Sequence, residues 1–178
     1  MRKYIKILVG FIRLFIEEVL SCFRIKLHGI SYSINSGVKL WIYNKGKCDL
    51  GKKTWLSENC IIECNGGTVE IGYNNFFNSN CRLACLEYIK IGDNNLFGPN
   101  VIIVDHNHKY ERKDIPICKQ GFNSGPIIIG SDIWICGNVT ICAGAKIDSH
   151  IVIAANSVVK GHFNTDIVAG RYLQAGKI

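Results

Sequence analysis

Proline occurs only three times in 178 residues, against eighteen glycines, a balance that suits strands joined by tight corners. Long apolar runs are also lacking. The most hydrophobic stretch, near the N-terminus, is interrupted by Gly10, Arg13 and the pair Glu17-Glu18, which is too broken for a transmembrane span. No small-residue cleavage site follows it, so it does not read as a secretory signal. Cysteine is plentiful, but the count of nine is odd and its spacing is that of a repeat, which argues against a disulfide framework. Outside residues 1–26 the basic side chains do not line up, and the aromatics follow the same repeat. Nothing there reads as a nucleic-acid surface. These absences point to a reduced, cytoplasmic protein of one domain, large enough to bury a sizeable core.

What the chain does contain is a period of six. Ile129, Ile135, Ile141, Ile147 and Ile153 open the successive hexads IGSDIW, ICGNVT, ICAGAK, IDSHIV and IAANSV. The second residue is small or acidic and the fifth small or aliphatic. Six fits neither the 3.6-residue helix nor a simple strand alternation. It fits a solenoid in which each hexad is a short strand plus a corner, and three hexads close one triangular coil. The phase continues upstream through Leu50, Leu56 and Ile62, then Ile71, Phe77 and Leu83, then Ile91, Phe97 and Ile103. An all-β parallel β-helix is the expected fold. The period fails between Ile103 and Ile129, so a long loop, residues 105–127, is expected to leave one corner, where rigid scaffolds often carry function.

Several cysteines obey the repeat. Cys60 and Cys81 fall at the fifth position, Cys136 and Cys142 at the second, where each acts as a small hydrophobe in the stack. A zinc site from Cys60-Cys64 and Cys81-Cys85 is the competing reading. The net charge of +7 is uneven: residues 1–26 hold Arg2, Lys3, Lys6, Arg13, Arg24 and Lys26 against Glu17 and Glu18. Ile5, Leu8, Ile12, Phe15 and Val19 recur there at helical spacing, with Lys6, Arg13 and Glu17 expected opposite them. This amphipathic segment caps the open end of the solenoid or lies on an anionic membrane surface, and the two are compatible. Residues 27–170 form the β-helix and 171–178 a C-terminal tail.

The irregular loop opens with Asp105-His106-Asn107-His108. A histidine on a rigid edge can serve as a general base near neutral pH, with Asp105 orienting one ring. Both rings could equally be solvated loop residues. The blocks IGDNNLFGPNVIIVDHNH, PIIIGSDIWICGNVTICAGAKID, IVIAANSVVKG and IVAG, in that order, resemble the hexapeptide-repeat acyltransferases. The resemblance spans about residues 50–170 and is strongest to the galactoside, maltose and xenobiotic acetyltransferase branch, in particular the bacterial polysaccharide O-acetyltransferases. It implies a left-handed β-helix, acetyl-CoA as acyl donor, a sugar or glycan acceptor, and a homotrimer with its active sites between subunits.

The resemblance also assigns residues. Counting eight positions from Asn100 of Gly98-Pro99-Asn100-Val101 reaches His108 as the catalytic base, with His106 one corner slip away. Asn78, thirty residues earlier, would position the acceptor, or else fill the small second place of its hexad. Trp134 would border the active-site cleft or pack on a subunit. Gly137 and Ala155 would let the pantetheine arm pass, and Lys160 would meet the nucleotide end of CoA. The chain departs from the family where Arg171-Tyr172 replaces Pro-Ala, where Gly161 replaces a lysine, and where Cys136 replaces a glycine; Arg171 or Lys177 could substitute at the nucleotide end. Competing functions are amino-sugar N-acetylation, a non-catalytic scaffold, and a zinc enzyme of the carbonic-anhydrase type. The last needs three histidine ligands; His106 and His108 offer two, and His28, His150 and His162 lie in the wrong context for a third. No metal is expected.

Overall fold

The computed structural model describes residues 2–20, 24–164, 167–168 and 172–174. Among them, the hexads wind into a three-faced prism with seven parallel strands on each face. The first face runs from Ile25–Leu27 through Lys47–Leu50, Thr68–Ile71, Tyr88–Ile91, Ile127–Ile129 and Lys146–Ile147 to His162–Phe163. The second runs from Ser33–Ile34 through Trp55–Leu56, Phe76–Phe77, Leu96–Phe97, Trp134–Ile135 and Val152–Ile153 to Ile167–Val168. The third runs from Lys39–Tyr43 through Ile61–Asn65, Arg82–Cys85, Ile102–Val104, Thr140–Cys142 and Val158–Lys160 to Tyr172–Gln174. The first-position residues of the period are stacked one coil above another, Ile71 against Ile91 against Ile129, and Leu83 against Ile103 against Ile141. All are buried, and Phe77 and Phe97 stack face to face with ring centroids 4.3 Å apart. Apolar burial along this line supplies the driving force.

Two devices make the corners. At the corner after the first face the backbones nearly touch: a Cβ on Gly72 would lie 2.6 Å from the Gly92 carbonyl, and one on Gly92 the same distance from that of Gly130. That contact explains the small second residue. The fourth hexad position is left-handed, and asparagine fills it at 59, 74, 80, 94, 100, 138 and 156, with φ between 56° and 63°. Asparagine tolerates this conformation better than other side chains. Along one corner these side chains form a ladder, Asn80 donating to Asn100 (3.1 Å), Asn100 to Asn138 (2.9 Å) and Asn138 to Asn156 (3.3 Å). Two asparagines at the fifth position, Asn75 and Asn95, are buried but satisfied. Asn75 Nδ2 donates to the carbonyls of Gly72 and Gly92 (2.9 Å each), and Asn95 Oδ1 accepts the Ile133 amide (2.9 Å).

The solenoid extends one coil further than the legible repeat. Leu27, Ile34 and Leu40 pair in register with Leu50, Leu56 and Ile62. These three are only partly buried by the coil, and the helix Arg2–Leu20, α1, packs onto it. The docking face is not the expected one. Leu14 is 1% exposed, Gly10 is buried, and a Cβ on Gly10 would already sit 3.1 Å from the Tyr32 carbonyl. Arg13, expected to face solvent, instead donates from its guanidinium to the carbonyls of Asn35 and Val38. The strongest apolar stripe, Tyr4, Ile5, Leu8, Val9, Ile12, Phe15, Ile16 and Val19, points away from the solenoid. Close backbone approach and the open carbonyls of the first coil decide the docking face, not residue hydrophobicity. No helix among the described residues is long and apolar enough to cross a membrane.

The excursion between Ile103 and Ile129 does not disturb the register. Tyr88–Ile91 pairs directly with Ile127–Ile129, and Ile102–Val104 with Thr140–Cys142. The loop therefore leaves and rejoins at one corner. Cys48, Cys60, Cys64, Cys81 and Cys85 are buried in the stack as free thiols. Burial and the neighbouring Asp105 carboxylate push the Cys85 thiol well above its ordinary value.

Candidate active site

After Val104 the chain leaves the third face as a two-stranded antiparallel hairpin, His106–His108 against Phe122–Ser124. Asp105, the hinge residue, has no exposed surface. Its backbone carbonyl accepts the amide of Gly125 (2.8 Å), which closes the base of the hairpin. Its side chain reaches back to the preceding coil. Oδ1 accepts the Leu86 amide (2.8 Å), and Oδ2 accepts those of Glu87 (2.8 Å) and Tyr88 (3.0 Å). Oδ1 also accepts the Nδ1–H of His106 (2.9 Å). Burial alone would raise the carboxyl's pKa. The amides of Leu86 and Glu87, the His106 ring and the Cys85 thiol outweigh it and hold the pKa below the ordinary value. A buried anion thereby pins the hairpin and sets the tautomer of one histidine.

His106 and His108 are two apart on a strand, so both rings turn to the same side. Phe122 meets both, its centroid 5.5 Å from His106 and 4.4 Å from His108. With the third face they enclose a cleft of about 280 Å³ lined by Glu63, Asn65, Arg82, Ala84, Cys85, Leu86, His106, His108 and Phe122. Glu63 and Arg82 form an ion pair on its floor, and Tyr43 donates its hydroxyl to Glu63. His106 is half-buried and His108 exposed. An imidazole at the mouth of a polar cleft, beside a flat aromatic ring, can take a proton from a hydroxylated substrate.

The other residues singled out in the sequence lie elsewhere on the protomer. Trp134, 54% exposed, stands on the second face between Leu96 and Val152 and lines a groove with Asp132 and His150. Asn78, Gly137 and Ala155 sit at the corner joining the second and third faces. Asn78 Oδ1 accepts the Ser79 amide (2.8 Å), and a Cβ on Gly137 would reach Pro99 at 3.4 Å. Lys160 is exposed at the far end of the third face. Arg171 and Lys177 lie outside the described residues. One protomer thus brings Asp105, His106 and His108 together, but not these with Trp134, Asn78, Gly137 or Ala155. Glu63, Arg82 and Phe122 were not singled out from the sequence. The first two were hidden among outward hexad positions, and Phe122 lies where the period fails. Among the described residues no three His, Cys, Asp or Glu side chains converge as metal ligands. His28, His150 and His162 instead pair with Asp49, Asp132 and Asp148, away from the hairpin.

A parallel solenoid of this kind is shared with solved hexapeptide-repeat acetyltransferases. The chain is 35% identical over 147 residues to a putative acetyltransferase of Saccharomyces cerevisiae, covering 74% of each. It is 29% identical over 139 residues to a putative lipopolysaccharide biosynthesis O-acetyl transferase of Escherichia coli, covering 73% of this chain and 71% of that one. Its fold superposes on a galactoside acetyltransferase in complex with coenzyme A at a TM-score of 0.60 and 27% identity, over 76% of this chain and 61% of that one. A hexapeptide-repeat acetyltransferase from Vibrio cholerae complexed with acetyl-CoA gives 0.57 and 27%, over 75% and 66%. No family model matches the chain. It belongs to the hexapeptide-repeat acetyltransferase family, with the left-handed parallel β-helix of that family.

Proposed function

We propose that this chain is an acetyl-CoA-dependent O-acetyltransferase acting on a sugar hydroxyl in surface polysaccharide or oligosaccharide assembly. The observation that carries the proposal is the pair of imidazoles opening on one polar cleft, on a hairpin anchored by the buried Asp105. Glu63, Asn65 and Arg82 offer donors and acceptors to a hydroxylated acceptor, and Phe122 offers a flat apolar face. His108 takes the proton of the acceptor hydroxyl as its oxygen attacks the thioester carbonyl. The tetrahedral intermediate collapses, the C–S bond breaks, and the imidazolium returns the proton to the departing CoA sulfur. The products are an acetyl ester and free CoA. A base of this kind contributes roughly 10²–10⁴-fold, and alignment of the two substrates contributes more.

The remaining residues complete the site across subunits. Asn78, Trp134, Gly137 and Ala155 lie on a different edge of the prism from the hairpin. In a homotrimer the hairpin of one protomer meets that edge of the next. Asn78 then positions the acceptor, the pantetheine arm runs along Gly137 and Ala155 beside Trp134, and Lys160 with Arg171 meets the nucleotide phosphates. The exposed apolar row Trp55, Leu96 and Trp134 on the second face supports such packing. A second reading makes His106 the base, because its Nδ1 is the ring nitrogen held by Asp105.

The test is release of free thiol from acetyl-CoA against sugars, nucleotide sugars and oligosaccharides, with His108→Ala and His106→Ala in parallel. A loss of about 10²-fold or more in His108→Ala, with acetyl-CoA binding retained, supports the proposal. The reverse pattern identifies His106. Turnover indifferent to both substitutions refutes a histidine base.

A further inference from the structure

The helix α1 carries an apolar face that the fold does not use. It docks on the first coil through Gly10 and Leu14, with Arg13 tied to the carbonyls of Asn35 and Val38. The opposite side, including Ile5, Leu8, Val9, Ile12, Phe15 and Ile16, is exposed by 48–58%. At 100° per residue the positions from Tyr4 to Val19 on this side fill one arc of roughly 140°. No charged residue falls inside it. An apolar arc this broad on a helix already docked by its other side remains uncovered in the protomer.

The charge in the N-terminal part of the helix is of one sign. Arg2, Lys3, Lys6 and Arg13 precede the first acidic residue, Glu17, and there is no acidic residue in the first turn. Those of the first two turns, Arg2, Lys3 and Lys6, add to the positive end of the helix dipole instead of opposing it, whereas Arg13 is held by the first coil. An anionic plane removes that conflict. We propose that α1 seats the protein on an anionic lipid surface, its apolar arc sunk to the headgroup–acyl boundary and its first two turns meeting the headgroup charge. The helix is not apolar enough to cross a membrane, so it lies on the surface. A second copy fits this face less well. A helix–helix seam uses a narrower stripe than this arc, and parallel pairing would stack like charges at the basic end.

The inference is independent of the acetyl-transfer reading and is tested separately. The full chain is floated with vesicles of phosphatidylcholine alone and with vesicles in which about three lipids in ten are phosphatidylglycerol. The wild-type chain is expected to float with the anionic vesicles and roughly ten-fold more weakly with the neutral ones. Ile12→Glu combined with Phe15→Glu, both exposed positions, is expected to lose flotation roughly ten-fold or more while melting at the wild-type temperature. Lys3→Glu with Lys6→Glu is expected to abolish the preference for anionic vesicles. Absence of wild-type flotation, equal binding to both vesicles, or flotation unchanged in the Ile12/Phe15 variant overturns the proposal. So does light scattering in which that variant splits a larger assembly without affecting flotation, since a second copy would then cover the arc. Thiol release from acetyl-CoA, measured on the same preparations, keeps failure of this inference distinct from failure of the transferase reading.

Discussion

Asparagine in place of Asp105 changes one atom and tests the anchor of the whole hairpin. Each carboxylate oxygen now accepts two hydrogen bonds: Oδ1 from the Leu86 amide and the His106 ring, Oδ2 from the Glu87 and Tyr88 amides. A side-chain amide has one accepting oxygen. Whichever way it flips, its NH₂ faces two donors. Bonds to a charged acceptor are worth about 1.5–3 kcal/mol each, so losing two, with some relaxation, costs about 3–5 kcal/mol. For a chain of this size that corresponds to a fall of roughly 8–15 °C in melting temperature. The substitution also removes a titrating group. The folded-state pKa of Asp105 is held below its ordinary value, so its stabilisation is complete above about pH 5. It begins to decline as the pH falls through the ordinary ~3.9, and vanishes below the folded value. Urea titrations of wild type and Asp105→Asn from pH 7 to pH 3 should therefore show a gap in stability that narrows at the acid end. Hydrogen exchange should locate the loss at the amides of residues 86–88. A gap below about 1 kcal/mol at pH 7, or one that does not narrow on acidification, would refute the anchoring role.

Two further substitutions test the solenoid. Ile141 lies in the centre of the stack with no exposed surface, flanked by Ile103 and Val159. Ile141→Ala should cost about 2–5 kcal/mol in urea unfolding, and a loss below 1 kcal/mol would mean that the stack collapses around the gap. Asn100 sits at φ 59° within the asparagine ladder. Asn100→Gly keeps the conformation and should cost only the ladder bonds, about 1 kcal/mol. Asn100→Val adds left-handed strain of about 1–2 kcal/mol or more, so equal melting temperatures for the two variants would contradict the corner argument.

Much of this was legible in the residues. Ile129 to Ile153 announce the coil because each first-position side chain must point inward, and the spacing of inward positions is set by the covalent chain itself. The coils from Leu50 to Ile103 follow by the same rule. The first coil was harder to see. Leu27, Ile34 and Leu40 are separated by seven and then six residues, and the motif around Gly29 and Ile30 does not repeat. The fourth-position asparagines recur in many of the hexads, but Lys53, Asp132, Gly144 and His150 take the same left-handed place, so that position carries a weaker signal than the apolar first one. At the site, Asp105, His106 and His108 were visible as a cluster because they are contiguous. Glu63 and Arg82 were not, since an outward residue on a hexad gives no local sign of what will come to lie over it.

The six-residue period by itself determined the fold, because its information is local: each hexad turns one corner and buries one side chain, whatever the rest of the chain does. The tertiary structure decided three things that depend on where distant segments land. Asp105 captures the amides of residues 86–88, one coil earlier. Phe122 returns across a loop to lie against His108. The helix α1 docks by Gly10, Leu14 and Arg13 and leaves its most apolar face outside. Each is a contest settled by close approach and by hydrogen-bond partners on another coil, and such partners are not written in the neighbouring sequence.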